Sequence, residues 1–483
     1  MHKQKETTMV APRIEHDLLG PKEIPANVYW GVHTARAVEN FQITGIPIGH
    51  YPHLIRGLMF VKEAAACANH ELGLLDAERF AAIAQACQDI RAGALRDQFV
   101  VDVIQGGAGT STNMNANEVV ANRALEVLGS QRGDYARLHP NDHVNLSQST
   151  NDAYPTALNI ALIEAVDDLA ASMDVLQQAF ERKAQAFQGL LKIGRTQLQD
   201  AVPMTLGQEF RTFAVMLGED RARLIESASL LHEINLGATA IGTGLNAPAG
   251  YAARACAHLV RLTGRPLVTA SDLIEATQDP GAFVHLSGVL KRVAVKLSKT
   301  CNDLRLLSSG PRAGLGEISL PPMQAGSSIM PGKVNPVIPE VVNQVAFTVI
   351  GNDMTITMAA EGGQLQLNAF EPVIARSLLD SLLALSAACR TLATRCVDGI
   401  TAHEPVMAQR VRDSIGLATA LNPFIGYQAA TKIAKQALET NRTIVDVTLE
   451  GGYLSAAELN ELLTPERLLN QLAPVTQPPG SGR

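Results

Sequence analysis

The strongest pattern in the chain is a set of long apolar stripes at helical spacing. Leu158, Leu162, Ala165, Leu169, Met173, Leu176 and Phe180 follow one another at intervals of 4, 3, 4, 4, 3 and 4, which puts them on one face of an α-helix. Leu286, Leu290, Val293, Leu297, Cys301 and Leu304 form a second stripe, and Leu378, Leu382, Leu385, Cys389, Leu392 and Cys396 a third. A fourth, Phe210, Phe213, Leu217, Leu224, Ala228 and Leu231, is interrupted by charges near Asp220. Helices of ~25–30 residues are roughly 40 Å long and need partners along their whole length, so the stripes predict a bundle.

The same pattern divides the chain into three. Residues 1–150 mix turn-rich segments with helical ones, residues 151–405 carry the long stripes, and residues 406–483 turn to short elements. The expected fold class is therefore all-α with three domains: an N-terminal, mainly helical domain, a central long-helix bundle and a small C-terminal helical domain. The tail Pro474 to Arg483, rich in Pro, Gly and Ser, is expected to be disordered. Glycine, proline and hydroxyl residues gather between stripes, at Gly194 to Gly207, Ala238 to Gly250 and Gly310 to Pro336. Chemistry is to be sought in those breaks.

Composition narrows the class. The 483 residues are 46% hydrophobic but only 4% aromatic, with one Trp, which suits helices packed closely through Ala, Leu, Val and Ile. The net charge is −7 with both signs interspersed, so nucleic acid is not an expected partner. Six widely spaced cysteines form no CxxC pair and read as buried thiols of a reducing compartment. The polar start Met1 to Pro12 has no apolar core of a secretory signal, and no stretch approaches ~18 uninterrupted apolar residues. A cytoplasmic protein without a membrane partner is expected. Twelve histidines include no HExxH and no Cys/His set at ligand spacing, so neither metal nor cofactor is expected.

Three motifs carry candidate chemistry. Gly326-Ser327-Ser328-Ile329-Met330-Pro331-Gly332-Lys333-Val334-Asn335-Pro336 has glycines and prolines that exclude helix and strand, leaving its amides free to face a ligand. A plain interhelical loop is the simpler account, but two hydroxyls, a lysine and an asparagine within nine residues concentrate anion-binding groups. Gly106-Gly107-Ala108-Gly109-Thr110-Ser111 lacks both the GxGxxG and the GK[ST] of nucleotide loops. It reads as a turn entering a helix, where Thr110 and nearby amides suit a carboxylate. Ser149-Thr150-Asn151-Asp152 is, taken alone, a helix N-cap cluster. His139 and His143 share a loop with Asp142 and are given no role.

The first of these motifs resembles the signature loop of the aspartase/fumarase superfamily, GSSxMPxKxNP, with every specified position filled. The resemblance extends over nearly the whole chain through Gly107 to Glu118, His139 to Thr156, Gly194 to Glu209 and Gly351 to Val373, in the family order. It implies removal of a proton from the carbon next to a carboxylate, followed by loss of a group from the neighbouring carbon to leave fumarate. Ser327 is implied as the base, acting as an oxyanion. Ser149, Thr150, Thr110 and Ser328 are implied donors to the carboxylate that gathers charge. Lys333, Asn335 and Thr196 are implied to hold the other carboxylate, and Asn151 to sit near the leaving group.

Gln197 stands where fumarases carry a histidine. An alkylammonium leaves as neutral ammonia without acid assistance, so glutamine suffices chemically. The stretches Asn335 to Gln344 and Ala359 to Asn368 also resemble the aspartase branch, which implies release of ammonia from L-aspartate to give fumarate. The alternatives are a fumarate hydratase and, in another class, a non-catalytic crystallin-like protein. The unbroken set Ser327, Lys333, Asn335 and Thr196 speaks against the latter. Apolar faces too long for one chain to cover predict self-association. The resemblance implies a homotetramer with a central bundle of roughly twenty helices, in which the blocks of one site come from different chains.

Overall fold

The computed structural model describes residues 11–469; residues 1–10 and the tail that includes Pro474 to Arg483 lie outside the described residues. The chain is mostly helical. Its N-terminal part holds α1 (Val32–Asn40), α2 (Pro52–Glu71), α3 (Ala77–Arg91) and α4 (Thr110–Val127). Then come α5 (Thr150–Ala186), α6 (Leu206–Ser227), α7 (Tyr251–Thr263), the short α8 (Glu275–Gln278) and α9 (Gly281–Leu307). Two more long helices, α10 (Val337–Glu361) and α11 (Glu371–Arg395), precede the short α12 (Glu404–Asp413), α13 (Leu417–Ile425), α14 (Tyr427–Thr440), α15 (Ile444–Glu450) and α16 (Ala456–Leu462). Strands are short: β1 (Arg13–Asp17) pairs antiparallel with β2 (Gly20–Ile24), and β3 (Leu191–Thr196) with β4 (Gln199–Thr205).

The stripes became the buried faces of α5, α9 and α11, and each of their residues is at most 2% exposed. The charge that interrupts the fourth stripe is accounted for: Asp220, buried on α6, pairs with Arg292 at 2.7 Å. The helix without a predicted stripe, α10, exposes Phe347, Ile350, Met354 and Met358 at 62, 37, 61 and 67%. One segment, Glu371–Gly399, is long and apolar enough by composition to span a membrane, yet 67% of its most apolar window is buried in the protein, as a core helix is. All six cysteines are buried and free.

By compactness the chain divides into two units. Unit 1 comprises Met1–Ala171, Asp220–Val295 and Val345–Ser386, and unit 2 comprises Ser172–Glu219, Lys296–Gln344 and Ala387–Arg483. In unit 1, α2 packs against α3 and α7, and α3 against α4. In unit 2, Phe180, Phe187, Phe210 and Phe213 cluster with ring centroids 5.3–6.1 Å apart. The small helices α12 to α16 build a core of their own around Ile193 of β3, with Val411, Leu417, Leu421, Ile433, Ile444 and Leu459. The β3–β4 hairpin is thereby anchored by its apolar residues.

Candidate active site

Unit 1 gathers Thr110 and the Ser149 to Asn151 cluster at two helix starts. Gly109 precedes α4 with φ of +90°, and a Cβ there would lie 2.7 Å from the Tyr154 ring. Only glycine meets both conditions. Thr110 follows on the exposed first turn and donates its hydroxyl to Gly107 O at 2.8 Å. Ser149 accepts the Asn151 N–H on its hydroxyl at 3.3 Å, and its own N–H donates to Asp152 at 2.9 Å. That is a reciprocal helix cap, so one member of the cluster does serve as a cap. Pro155, inside α5, has no N–H for the Asn151 carbonyl; Asn235 Nδ2 supplies the donor at 3.0 Å. Asn151 Nδ2 in turn donates to Ala240 O at 2.6 Å.

Behind this surface lies a buried polar layer that sequence reasoning missed. Asn113 of α4 donates to Thr150 Oγ1 at 3.2 Å, which leaves the Thr150 hydroxyl proton available to a ligand. Lys62, fully buried on α2, donates to Asn113 Oδ1 at 2.6 Å, Gln148 Oε1 at 2.8 Å and Asn145 Oδ1 at 3.1 Å. Loss of solvation pushes its ammonium down to about 7, against the pull of Asp152. Asp152 is pushed up to about 6 by burial, although the Thr239, Ser149 and Gly237 amides donate to it. The available signal was the pair of charges Lys62 and Glu63 inside the apolar run Met59 to Ala68, which calls for buried partners without saying which residues they are.

Unit 2 holds the other candidates. The ends of the loop meet where a Cβ on Gly326 would lie 1.2 Å from Lys333 O, so the pinch requires glycine. Within it Ser327 Oγ accepts the N–H groups of Ile329 and Met330, each at 3.2 Å. Ser327 is half-buried, while Ser328 and Lys333 are exposed. Lys333 and Asn335 line a cavity of about 770 Å³ together with Arg305, Ser309, Ser319 and His403; Ser327, Ser328, Thr196 and Gln197 do not line it. Thr196 pairs with Gln199 across a two-residue turn, and both turn residues, Gln197 and Leu198, have left-handed φ of +55° and +62°. Neither side chain favours that conformation, so the exposed tip carries backbone strain.

A second carboxylate that sequence reasoning missed holds this hairpin. Glu317, buried, accepts Arg195 at 2.7 Å and Arg410 at 3.1 Å and lies 3.1 Å from Lys192, which also pairs with Glu209. Burial alone would raise its pKa, but the Arg195 and Lys192 charges hold it below the usual carboxylate range. In the N-terminal part, His139 and His143 accept backbone N–H groups of their own loop. Among the described residues no three His, Cys, Asp or Glu side chains are placed to hold a metal.

A mostly helical chain with hydroxyl-bearing helix starts and a pinched GSSxMPxKxNP loop is a lyase in build. A family profile described as Lyase matches residues 20–351, and one described as Fumarase C C-terminus matches residues 417–470. The chain belongs to the aspartase/fumarase superfamily. It is 60% identical over 458 residues to the aspartate ammonia-lyase of Pseudomonas fluorescens, covering 95% of this chain and 96% of that one. A Brucella melitensis structure described as fumarate lyase:delta crystallin bound to cobalt superimposes with a TM-score of 0.93 at 56% identity, over 95% of this chain and 99% of that one. The class II fumarase of Schistosoma mansoni gives 0.90 at 34% identity with the same coverage.

Proposed function

We propose that the chain is an aspartate ammonia-lyase, a carbon–nitrogen lyase that converts L-aspartate to fumarate and ammonia. The observation that carries the mechanism is the pair of amide donors on Ser327 Oγ. A serine is a weak base unless its anion is stabilised, and hydrogen bonds to the charged form do that. In this reading Ser327 removes the proton next to the β-carboxylate, and the resulting dianionic aci-carboxylate is met by Ser149, Thr150, Thr110 and Ser328. Lys333, Asn335 and Thr196 hold the α-carboxylate, while Asn151 and Gln197 lie at the departing ammonia.

Ultraviolet absorbance of fumarate, followed after mixing the protein with L-aspartate, L-malate or argininosuccinate, tests the reading. Fumarate from aspartate alone is expected. Fumarate from malate makes the protein a hydratase, and none from any substrate favours a non-catalytic member.

The same reading includes a three-part organisation (1–150, 151–405 and 406–483), a cytosolic location and a homotetramer. Six buried free thiols suit the cytosol. The apolar row Phe347, Ile350, Met354 and Met358 on α10 supports assembly, since side chains of that size are seldom left in water in such a row. In the tetramer the unit 1 and unit 2 residues of one site come from different chains. Ser327→Ala and Thr150→Ala proteins, unfolded and reassembled together, then recover part of the activity each lacks alone. A fully active monomer in analytical ultracentrifugation, or mixed variants with no recovery, removes the shared-site arrangement.

A further inference from the structure

Unit 1 contains a second cavity, of about 370 Å³, between the starts of α5, α9 and α11 and the segment from Ser229 to Asn235. Its wall joins an apolar part, with Leu230, Val268 and Phe283, to a polar part in which Asn159, Asn235 and four carboxyl groups outnumber the groups that can donate, Ser229 and His232. Asn159 and Glu371 line it while only 9 and 7% exposed. Asn159 Nδ2 is spent on Glu233 O at 2.9 Å, leaving Oδ1 without a partner. Asn235, also on the wall, spends its Nδ2 on Asn151 O and Thr277 Oγ1. No hydrogen bond or ion pair of the Glu371 carboxyl occurs among the described residues, and burial pushes its pKa up to about 8. The exposed carboxylates Glu233, Glu275 and Asp279 stand around it, and neither Lys nor Arg lines the cavity. Glu275 is raised by burial and by repulsion from Asp279 and Glu233.

A buried carboxyl and a buried amide oxygen without donors are costly unless something supplies them. An anion is excluded by the three exposed carboxylates. A metal ion needs several preplaced ligands, and no such set is present among the described residues. A primary ammonium brings three donors and one charge and needs acceptors only. The volume also fits the lower range of small-molecule sites. We propose that this cavity binds a small protonated aliphatic amine, its ammonium held between Glu371 and Asn159 Oδ1 and any second positive group among Glu233, Glu275 and Asp279.

The probe is 1,4-diaminobutane, which has no carboxylate for the Ser327 and Lys333 groups. It is titrated calorimetrically into the full-length protein without aspartate or fumarate, against potassium chloride of equal ionic strength. Saturable binding of one molecule per chain is expected, weakened by about thirtyfold or more in Glu371→Gln, as loss of one partner of a buried charge pair implies. Asn159→Ala weakens it as well and carries the test if Glu371→Gln does not fold. Heat equal to that of the salt control, or equal affinity in wild type and both variants, overturns the proposal. So does a Glu371→Gln protein that binds no amine but sediments as a smaller assembly, because the carboxyl then serves a cationic side chain of a second copy.

Discussion

The Ser149 to Asn151 cluster of unit 1 and the Ser327 loop of unit 2 solve opposite problems. Every member of the cluster is held from behind, by Asp152, Asn113, Asn235 or the Ala240 carbonyl, and the layer beneath them rests on buried Lys62. The loop is exposed, and its hydrogen bonds close on itself, from Ile329 and Met330 to Ser327 and from the Lys333 N–H to Met330 O at 3.2 Å. A group that stabilises developing charge must already be oriented when the charge appears. A group that must admit a substrate and then enclose it has to move. In the proposed mechanism the cluster is the part that must be fixed, and it is bonded into the fold, while the loop is the part that must move, and its hydrogen bonds are its own.

Changes in the two halves accordingly separate activity from stability. The largest effect is expected for Ser327→Ala: turnover of aspartate falls by about 10²–10⁴ or more, the range for loss of a positioned base, while the melting temperature stays within a degree or two of wild type. Circular dichroism melts beside the fumarate assay check both. Near-normal turnover would remove Ser327 from the mechanism.

Lys62→Met lies at the other pole. It leaves Asn113 Oδ1 and Gln148 Oε1 without a donor and takes the positive charge from Asp152, a loss of about 3–5 kcal/mol of stability, read from urea unfolding. Its pH dependence has a definite sign. The lysine is depressed to about 7 in the fold from an unfolded value of 10.5, so the unfolded chain binds more protons between those values and the lysine's contribution grows with pH. The deficit of Lys62→Met relative to wild type is thus larger at pH 9 than at pH 6. A deficit that shrinks with pH contradicts a lysine depressed by burial.

Gly326→Ala tests whether the loop's shape is itself required. Its Cβ has no room against Lys333 O, so the pinch opens, and a loss of about a hundredfold in turnover with an unaltered melt is expected from misplacing the base by about 1 Å. Activity unchanged would mean that the pinch is dispensable. Gln197→His marks the small end of the scale. If ammonia departs without an acid, deamination stays within about tenfold, ~1.4 kcal/mol; a loss of several orders of magnitude would give Gln197 a further role.

The helical faces of α5, α9 and α11 were legible because a stripe repeats one simple condition, apolar side chains at intervals of three and four, over many turns. The helix α10 was not, since its exposed apolar residues Phe347, Ile350, Met354 and Met358 answer to no face of this chain. The Ser327 loop was legible from its glycines and prolines, which no regular element accommodates. Lys62 and Glu317 escaped because a single charged letter says nothing of the partners that tertiary packing brings within 3.1 Å. The left-handed turn at Gln197 and Leu198 escaped for a related reason. Its residues do not prefer that conformation, and the hairpin's anchorage by Ile193 and Glu317 imposes it.

By itself, then, the order of residues determined the helical class, the long elements and the glycine- and proline-bounded motif that holds Ser327, all of which depend on neighbours along the chain. Only the tertiary structure decided which carboxylates and amines are buried, which donors stand behind Thr150 and Asn151, and which cavity is left with more acceptors than donors. Those outcomes depend on desolvation and on distances between residues far apart in sequence, and neither quantity exists until the helices have packed.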